Sequence, residues 1–501
     1  MRRLILLLLV SAALLGCGSS RKAWSPDKKF APAVLQKDYH IYRTTLEEVH
    51  PGLYWYTTKD SLDHYFDWGA AQLKDSLTEP QFRKIIAYVT SKIDCGHTSV
   101  RYSKNYLNYL DTMRIARIFP LSLKLWQGNA VVATNLNRRD SLLRRGTVIK
   151  AIDGRPMETI VDSLFNFLST DGYNTTHKYQ TLSNRGYFGS LYSSVYGFSR
   201  RYTIDYLDST GVPRQTIITP FYPGADTSNR AAMMPMVREP KPSRRERRTM
   251  RKNSVRLLKL DTTGHVAMMD LNSFSKGYGL RGFYRRSFRA LKQHHIEHLV
   301  IDVRTNGGGS VTNSTLMTRY LADHRFKVGD SLYAVTRKKT YGKYIKHDRW
   351  NKVFMTFFAR KLRKDGLYHF RYFERHYFSP KKQNHYKGKT YILTGGNSFS
   401  ATTLFVGAVR DQDNVLVIGE ETGGGAYGNN AWLIPDVTLP GTGLGFRLPL
   451  FRLVIDRAKP KTGKGVQPEV FSGPTVEDVR NGVDYKLEKA LELIRKDLGE
   501  K

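Results

Sequence analysis

Apolar positions recur at helical spacing near the start of the patterned chain. Leu35, Tyr39, Tyr42, Leu46 and Val49 fall on one stripe, and Pro51-Gly52 break it. Two further helices are predicted over Leu62–Leu77 and Pro80–Ile93, the second opening on Thr78-Glu79-Pro80-Gln81, a helix-start pattern. Over Phe119–Thr219 the apolar runs shorten. Leu121–Leu125, Ala130–Ala133, Thr147–Ile152, Tyr202–Tyr206 and Gln215–Thr219 read as strands, interrupted by one helix at Met157–Leu168. From His265 strands and helices alternate. Strands are predicted at His265–Leu271, Leu299–Val303, Lys389–Leu393 and Val415–Ile418, and helices at Gly279–Gln293, Val311–Ala322 and Ala401–Val409. Such alternation with uniformly apolar strands implies a mostly parallel sheet covered by helices. A last helix is predicted over Val476–Leu498.

Two stretches stand outside this pattern. Asp226–Lys252 is polar and strongly basic, with PKPSRRERR at Pro240–Arg248, and reads as a linker or insertion. At the start, two arginines precede the apolar run Leu4–Val10 and then Leu14-Leu15-Gly16-Cys17. The run is too short for a permanent membrane span and reads as a secretory signal. Leu-Leu-Gly-Cys resembles a bacterial lipobox, in which the cysteine is acylated and begins the mature chain. Residues 1–16 are then a removed signal and 17–30 a tether, and acyl chains on Cys17 hold the protein to a membrane.

The formal net charge is +36, from 80 Lys and Arg against 44 Asp and Glu. Export argues against nucleic acid as the partner of that charge. Anionic headgroups or acidic envelope polymers fit better. Cysteine number is also informative. Of the 2 cysteines, acylation of Cys17 leaves Cys95 alone. No intramolecular disulfide is then available, so the core rests on apolar burial.

Candidate chemistry gathers in three separated segments. TGGNSFSATT from Thr394 places Ser400 among small residues at a helix start, where unpaired backbone N–H groups face developing negative charge. DCGHT at Asp94–Thr98 offers His97 as a base. DVRTNGGG at Asp302–Gly309 puts glycines after a buried strand, where backbone can approach a ligand closely. A serine, a base and an oxyanion hole make a serine hydrolase. Cys95 beside His97 lacks an oxyanion partner and reads as a packed small hydrophobe. His294–His298 matches H-x-x-E-H, but it straddles a helix end and a strand start, whereas zinc ligation needs one helix face.

These motifs resemble those of the tail-specific serine peptidases, which include the C-terminal processing peptidases and the tricorn core protease. DVRTNGGG resembles the family's DLRxNxGG, NSFSA at Asn397–Ala401 its nucleophile turn, GEETGG at Gly419–Gly424 its GExTxG, and GVQPE at Gly465–Glu469 its GVxPD. The resemblance implies an α/β, ClpP/crotonase-like catalytic core with an N-terminal helical cap and an inserted PDZ-like β-rich domain. LRRGTVIKAIDGR at Leu143–Arg155 resembles the centre of a PDZ domain, a module that adds a peptide tail to a sheet edge. The implied organisation is a cap over 31–116, the PDZ-like domain over 117–221, a basic linker over 222–254, the core over 255–475 and a terminal helix over 476–501.

The resemblance further implies Ser400 as nucleophile and backbone N–H groups of Gly307 or Gly308 and of Ala401 as oxyanion donors. The processing branch carries its lysine base at the position held here by Gly425, so a Ser–Lys dyad is not expected. Gly96-His97-Thr98 matches the tricorn-like branch and favours His97. That branch orients its histidine with a serine and a glutamate, whose positions hold Gly96 and Thr462. Asp94, Thr98, Glu420 and Glu421 remain candidates for the orienting group. The expected activity is endoproteolysis of unfolded or tail-exposed proteins in the bacterial envelope, on the periplasmic side of the outer membrane, with no metal and no cofactor. The rival expectation is a non-catalytic peptide-binding protein that uses the PDZ-like domain.

Overall fold

The computed structural model describes residues 24–112, 117–223 and 242–499. The apolar run Leu4–Val10 and Cys17 therefore lie outside the described residues. Among the described residues no helix is long and apolar enough to cross a membrane.

The mixed α/β fold is centred on a six-stranded sheet. Its order is Arg256–Asp261, Val266–Leu271, His298–Asp302, Lys389–Thr394, Val415–Gly419 and Val470–Phe471. The first pair is antiparallel and the others are parallel. Both faces of the sheet are covered. Leu299 and Ile301 point into one core with Phe283, Phe288, Phe405 and Val406. Val300, Tyr391 and Ile418 point the other way, against Ala490 and Ile494 of the C-terminal helix. Burial on both faces is why these strands read as continuous apolar runs.

The C-terminal segment is two helices, Val476–Asn481 and Tyr485–Asp497, where the sequence pattern predicts one. Gly482 ends the first in a left-handed conformation (φ 71°), and the Asp484 side chain accepts the Leu487 N–H to start the second. Asp484 also clamps Arg304, which binds Asp302 through Nη2 at 2.6 Å. Asp302 and Arg304 of the glycine motif are thus structural.

The N-terminal helices Pro32–Val49, Lys59–Ala71 and Glu79–Ser91 bury the predicted stripe of Leu35, Tyr39, Tyr42, Leu46 and Val49. Their core is continuous with Leu332, Phe446, Leu448 and Leu453, which lie far along the chain. Buried Asp38 fixes this docking by accepting the N–H groups of Gly441 at 2.9 Å and Thr442 at 2.7 Å. Part of that C-terminal region forms a second sheet, in the order Arg360–Lys361, Tyr368–His369, Ser331–Ala334, Arg452–Val454 and Gly428–Asn429.

The chain between these helices and the core forms an antiparallel sheet ordered Leu121–Trp126, Asn129–Asn135, Val148–Ile152, Tyr202–Leu207 and Pro213–Ile218. Asp153 (φ 51°) and Gly154 (φ 73°) make the tight turn into Arg155–Pro156, a two-residue hairpin loop with both positions at positive φ. Three helices accompany this sheet: Met157–Phe165, Thr175–Ser183 and Tyr187–Tyr196. The sequence pattern predicts only the first. The basic stretch also differs from expectation, because Arg244–Asn253 is a helix opened by a Ser243–Glu246 capping box, with no buried residue. Residues 224–241 lie outside the described part.

Candidate active site

Ser400 occupies a strained turn between the strand Lys389–Thr394 and the helix Ala401–Val409. It is the residue before the helix, at φ 57° and ψ −121°. A non-glycine residue there costs on the order of 1–3 kcal/mol and persists only when its surroundings enforce it. The enforcing contacts are visible. Phe399 N–H donates to Asn306 O at 3.1 Å, and Gly423 N–H donates to Ser398 O at 3.0 Å. Buried Ser398 donates through Oγ to Val303 O at 2.8 Å and accepts the Gly395 N–H at 3.2 Å. The hydroxyl of Ser398 is thus tied into the backbone, while Ser400 is partly exposed.

The glycine motif packs directly on this turn. A Cβ on Gly308 (φ 95°) would lie 2.7 Å from Phe399 O, 2.8 Å from Ser400 Cβ and 2.9 Å from Ala401 N, so only glycine fits. Buried Asn306 holds the loop by donating to Leu271 O at 3.0 Å and accepting the Gly308 N–H at 3.0 Å. The Gly308 N–H is therefore engaged, which corrects its place among the expected oxyanion donors. Among the described residues the N–H groups of Gly307 and Ala401 have no acceptor.

His97 reaches this turn from the loop after the helix Glu79–Ser91. Its ring lies against Phe399, centroids 5.0 Å apart, and the His177 ring lies 4.8 Å from the same phenyl. A Cβ on Gly96 would fall 2.4 Å from the Phe399 ring, so Gly96 permits the approach. His97 is only 5% exposed, and neither ring nitrogen has a hydrogen-bond partner. Ser400 and His97 thus share Phe399 as a neighbour without being hydrogen bonded. Such contacts are often loose before substrate binds.

The acid beside His97 is Asp171. Its Oδ1 lies 3.7 Å from His97 Nδ1 and accepts the Gly96 N–H at 2.9 Å, while Oδ2 accepts the Gly425 N–H at 3.3 Å. Burial pushes the carboxyl up, but His97 and the two backbone donors outweigh it and hold it below the usual carboxylate range. Asp171 comes from the loop after Met157–Phe165, and sequence reasoning missed it. Gly425, at the position of the processing branch's lysine, lies against this aspartate, and a Cβ there would be 3.7 Å from Asp171 Cβ.

The four acids and hydroxyls expected to orient His97 are engaged elsewhere. Asp94 turns away at φ 52° and accepts from Thr57 at 3.3 Å. Thr98 Oγ1 pairs with His50 Nε2 at 2.9 Å. His50 Nδ1 accepts the Gly52 N–H, and burial followed by nearby Arg452 lowers the His50 pKa to about 3. Glu420 binds buried Lys486 at 2.6 Å. Glu421 accepts from Asn174 at 3.0 Å and from the Gly465 N–H at 2.6 Å, tying the GEETGG and GVQPE segments together.

The remaining candidates resolve similarly. Cys95 is buried, and burial pushes its thiol up, away from the thiolate a nucleophile needs. His294 caps a helix while His298 begins a strand and pairs with Tyr391 at 3.2 Å, so the H-x-x-E-H residues do not share one helix face.

Residues 265–471 match the model of peptidase family S41. A search of the curated proteins finds no match. Among solved structures, the chain is similar to mature CPAF complexed with lactacystin, with a TM-score of 0.63 and 14% identity over 93% of this chain and 98% of that one. A second structure of mature CPAF gives a TM-score of 0.60 at 14% identity, covering 93% and 97%. The tricorn protease is a looser match, with a TM-score of 0.41 and 15% identity over 94% of this chain and 37% of that one. At these identities the likeness is one of fold.

Proposed function

We propose that this chain, whose residues 265–471 match the model of peptidase family S41, is a serine-type peptidase in which Ser400 and His97 cleave unfolded or tail-exposed proteins through an acyl-enzyme. The observation that carries the reading is the Ser400 turn. A partly exposed serine is held at φ 57° before a helix, packed against a glycine loop that tolerates no Cβ. Strain of this kind is kept where a side chain must be presented to a ligand.

In the proposed reaction His97, in its neutral form, accepts the Ser400 proton as Oγ attacks the scissile carbonyl. The tetrahedral oxyanion accepts hydrogen bonds from the N–H groups of Gly307 and Ala401. His97 then passes its proton to the leaving amine, and water hydrolyses the acyl-enzyme by the same route. Asp171 acts through His97 as a positioning residue. Held as a carboxylate, it favours a proton on Nδ1 and leaves Nε2 free to accept.

The antiparallel sheet is the proposed PDZ-like module. Its edge strand Leu121–Trp126 follows Phe119-Pro120, and the helix Thr175–Ser183 runs beside it, with the Leu125 N–H donating to Ser183 Oγ at 2.9 Å. Ser183 occupies the edge at Leu125, so a peptide tail would add along the part of the edge before it. Cys17 is the proposed lipid attachment, and the proposed location is the bacterial envelope, on the periplasmic side of the outer membrane. The +36 charge would favour anionic polymers nearby.

Cleavage of a tail-exposed unfolded protein tests the assignment. Ser400→Ala is expected to abolish it, whereas Ser398→Ala, which loses two hydrogen bonds that brace the turn, keeps most of the cleavage and loses about 1–3 kcal/mol of stability. Undiminished cleavage by Ser400→Ala would point to another nucleophile, and absence of cleavage by the wild type on every substrate would favour the non-catalytic peptide-binding reading.

A further inference from the structure

The groups around His97 also form a ligand set. Cys95 Sγ, a His97 ring nitrogen and an Asp171 carboxylate oxygen lie within 4.8 Å of one another, and all three residues are buried. We propose that this trio is an inhibitory Zn2+ site built into the peptidase centre. Inhibition rests on His97 being the base proposed above, whereas binding does not.

The donor types suit zinc, which takes thiolate, imidazole and carboxylate together. In a tetrahedral zinc site, ligand bonds of about 2.0–2.3 Å place donor atoms about 3.3–3.7 Å apart. The His97 Nδ1 to Asp171 Oδ1 separation is already 3.7 Å. Every other donor pair lies within 4.8 Å, so closing to zinc distances moves these atoms by about 1 Å, with water completing the tetrahedron.

A second observation points to a ligand at the same place. Both His97 ring nitrogens are buried without a partner. A buried polar atom left unpaired costs about 1–3 kcal/mol, which a metal bond relieves. Charge also balances. Zn2+ with the Cys95 thiolate and the Asp171 carboxylate sums to zero, so no net charge is buried. Binding releases the Cys95 thiol proton to solvent, which ties affinity to pH.

Metal binding would stop the reaction through the histidine tautomer. A neutral imidazole that gives its Nδ1 lone pair to zinc carries its proton on Nε2. That nitrogen is then a donor and cannot take the Ser400 proton. Zinc on Nε2 would block the acceptor directly. The same ion occupies Asp171, which otherwise positions the ring.

Binding and inhibition are measured separately. The full-chain Ser400→Ala variant, which leaves the ligand set whole, is dialysed against buffered free Zn2+, and Co2+ is substituted as a spectroscopic probe. One Zn2+ per chain with release of one proton is expected, and a thiolate-to-Co2+ charge-transfer band. Adding Cys95→Ala, or the volume-preserving Cys95→Ser, removes the band and weakens binding roughly 100-fold or more, since even outer-shell changes cost about 10–100-fold. In proteolysis, zinc stops the wild type, chelation restores it, and Cys95→Ala works at the wild-type rate in zinc. The proposal is overturned by absence of stoichiometric binding, by a Co2+ complex without the thiolate band, or by Cys95 variants as zinc-sensitive as the wild type. Stoichiometric binding through Cys95 in a chain that cleaves nothing supports the metal site and contradicts the peptidase reading alone.

Discussion

Asp171 Oδ1 lies 3.7 Å from His97 Nδ1, although one residue follows a helix of the antiparallel sheet unit and the other a helix of the N-terminal unit. The Gly96 and Gly425 N–H groups hold the carboxylate from either side. The ring is thus positioned only when three segments of the chain have docked together.

Asp171→Asn keeps the side-chain shape but donates where the carboxylate accepted, favouring the wrong histidine tautomer. We expect kcat to fall by about 10²–10⁴-fold with KM within about threefold, as for loss of an orienting acid elsewhere. Steady-state kinetics on an unfolded protein substrate give the split. An unchanged kcat would remove Asp171 from the mechanism.

Asp94 is expected to behave differently. Burial raises its carboxyl to about 6, against the lowering effects of Lys178, Thr57 and Lys92. The unfolded carboxyl has the lower pKa, about 4, so between about pH 4 and 6 the folded chain binds the extra proton. Stability therefore rises as pH falls through that window. Above it, the buried charge costs on the order of 1–3 kcal/mol. Asn adopts the left-handed conformation that Asp94 holds. Asp94→Asn should therefore gain about that much stability at pH 8, lose this part of the pH slope and keep its cleavage rate. Denaturant titrations at pH 4, 6 and 8 read the first two, and a destabilised variant at pH 8 would contradict the account.

The core was legible in the sequence because its strands are buried on both faces. Leu299-Val300-Ile301 feed two cores at once and so read as an unbroken apolar run. Ser400 and His97 were legible because small neighbours mark close approach, and Gly308 and Gly96 do admit it. Asp171 carries no such mark. It sits in an ordinary Thr170-Asp171-Gly172 loop, and only tertiary docking gives it a partner. The expected acids failed for a related reason, since Lys486 takes Glu420 and Asn174 takes Glu421. The helices Thr175–Ser183 and Tyr187–Tyr196 are rich in Ser, Thr and Tyr, which blurs their apolar stripe. Ser331–Ala334 and Arg452–Val454 are too short for alternation to show. The helix Arg244–Asn253 did have a readable signal, its Ser243–Glu246 capping box, but the dense basic charge around it suggested a linker.

The proposed lipid anchor makes its own prediction. In this proposal attachment rests on the acyl chains of Cys17. In cell fractionation at high salt, Cys17→Ser should move the processed protein from the membrane to the soluble envelope fraction. If the variant stays with the membrane, the anchor lies elsewhere. If salt alone frees the wild type, the +36 charge is the tether.

In the proposed mechanism Ser400, activated by His97, forms the covalent intermediate. The most direct test is covalent capture with a serine-reactive fluorophosphonate, followed by intact mass and peptide mapping. The account predicts one adduct per chain, located on Ser400, forming roughly 10³-fold more slowly in His97→Ala. An adduct on Ser398 or another residue, or an undiminished labelling rate in His97→Ala, would contradict it.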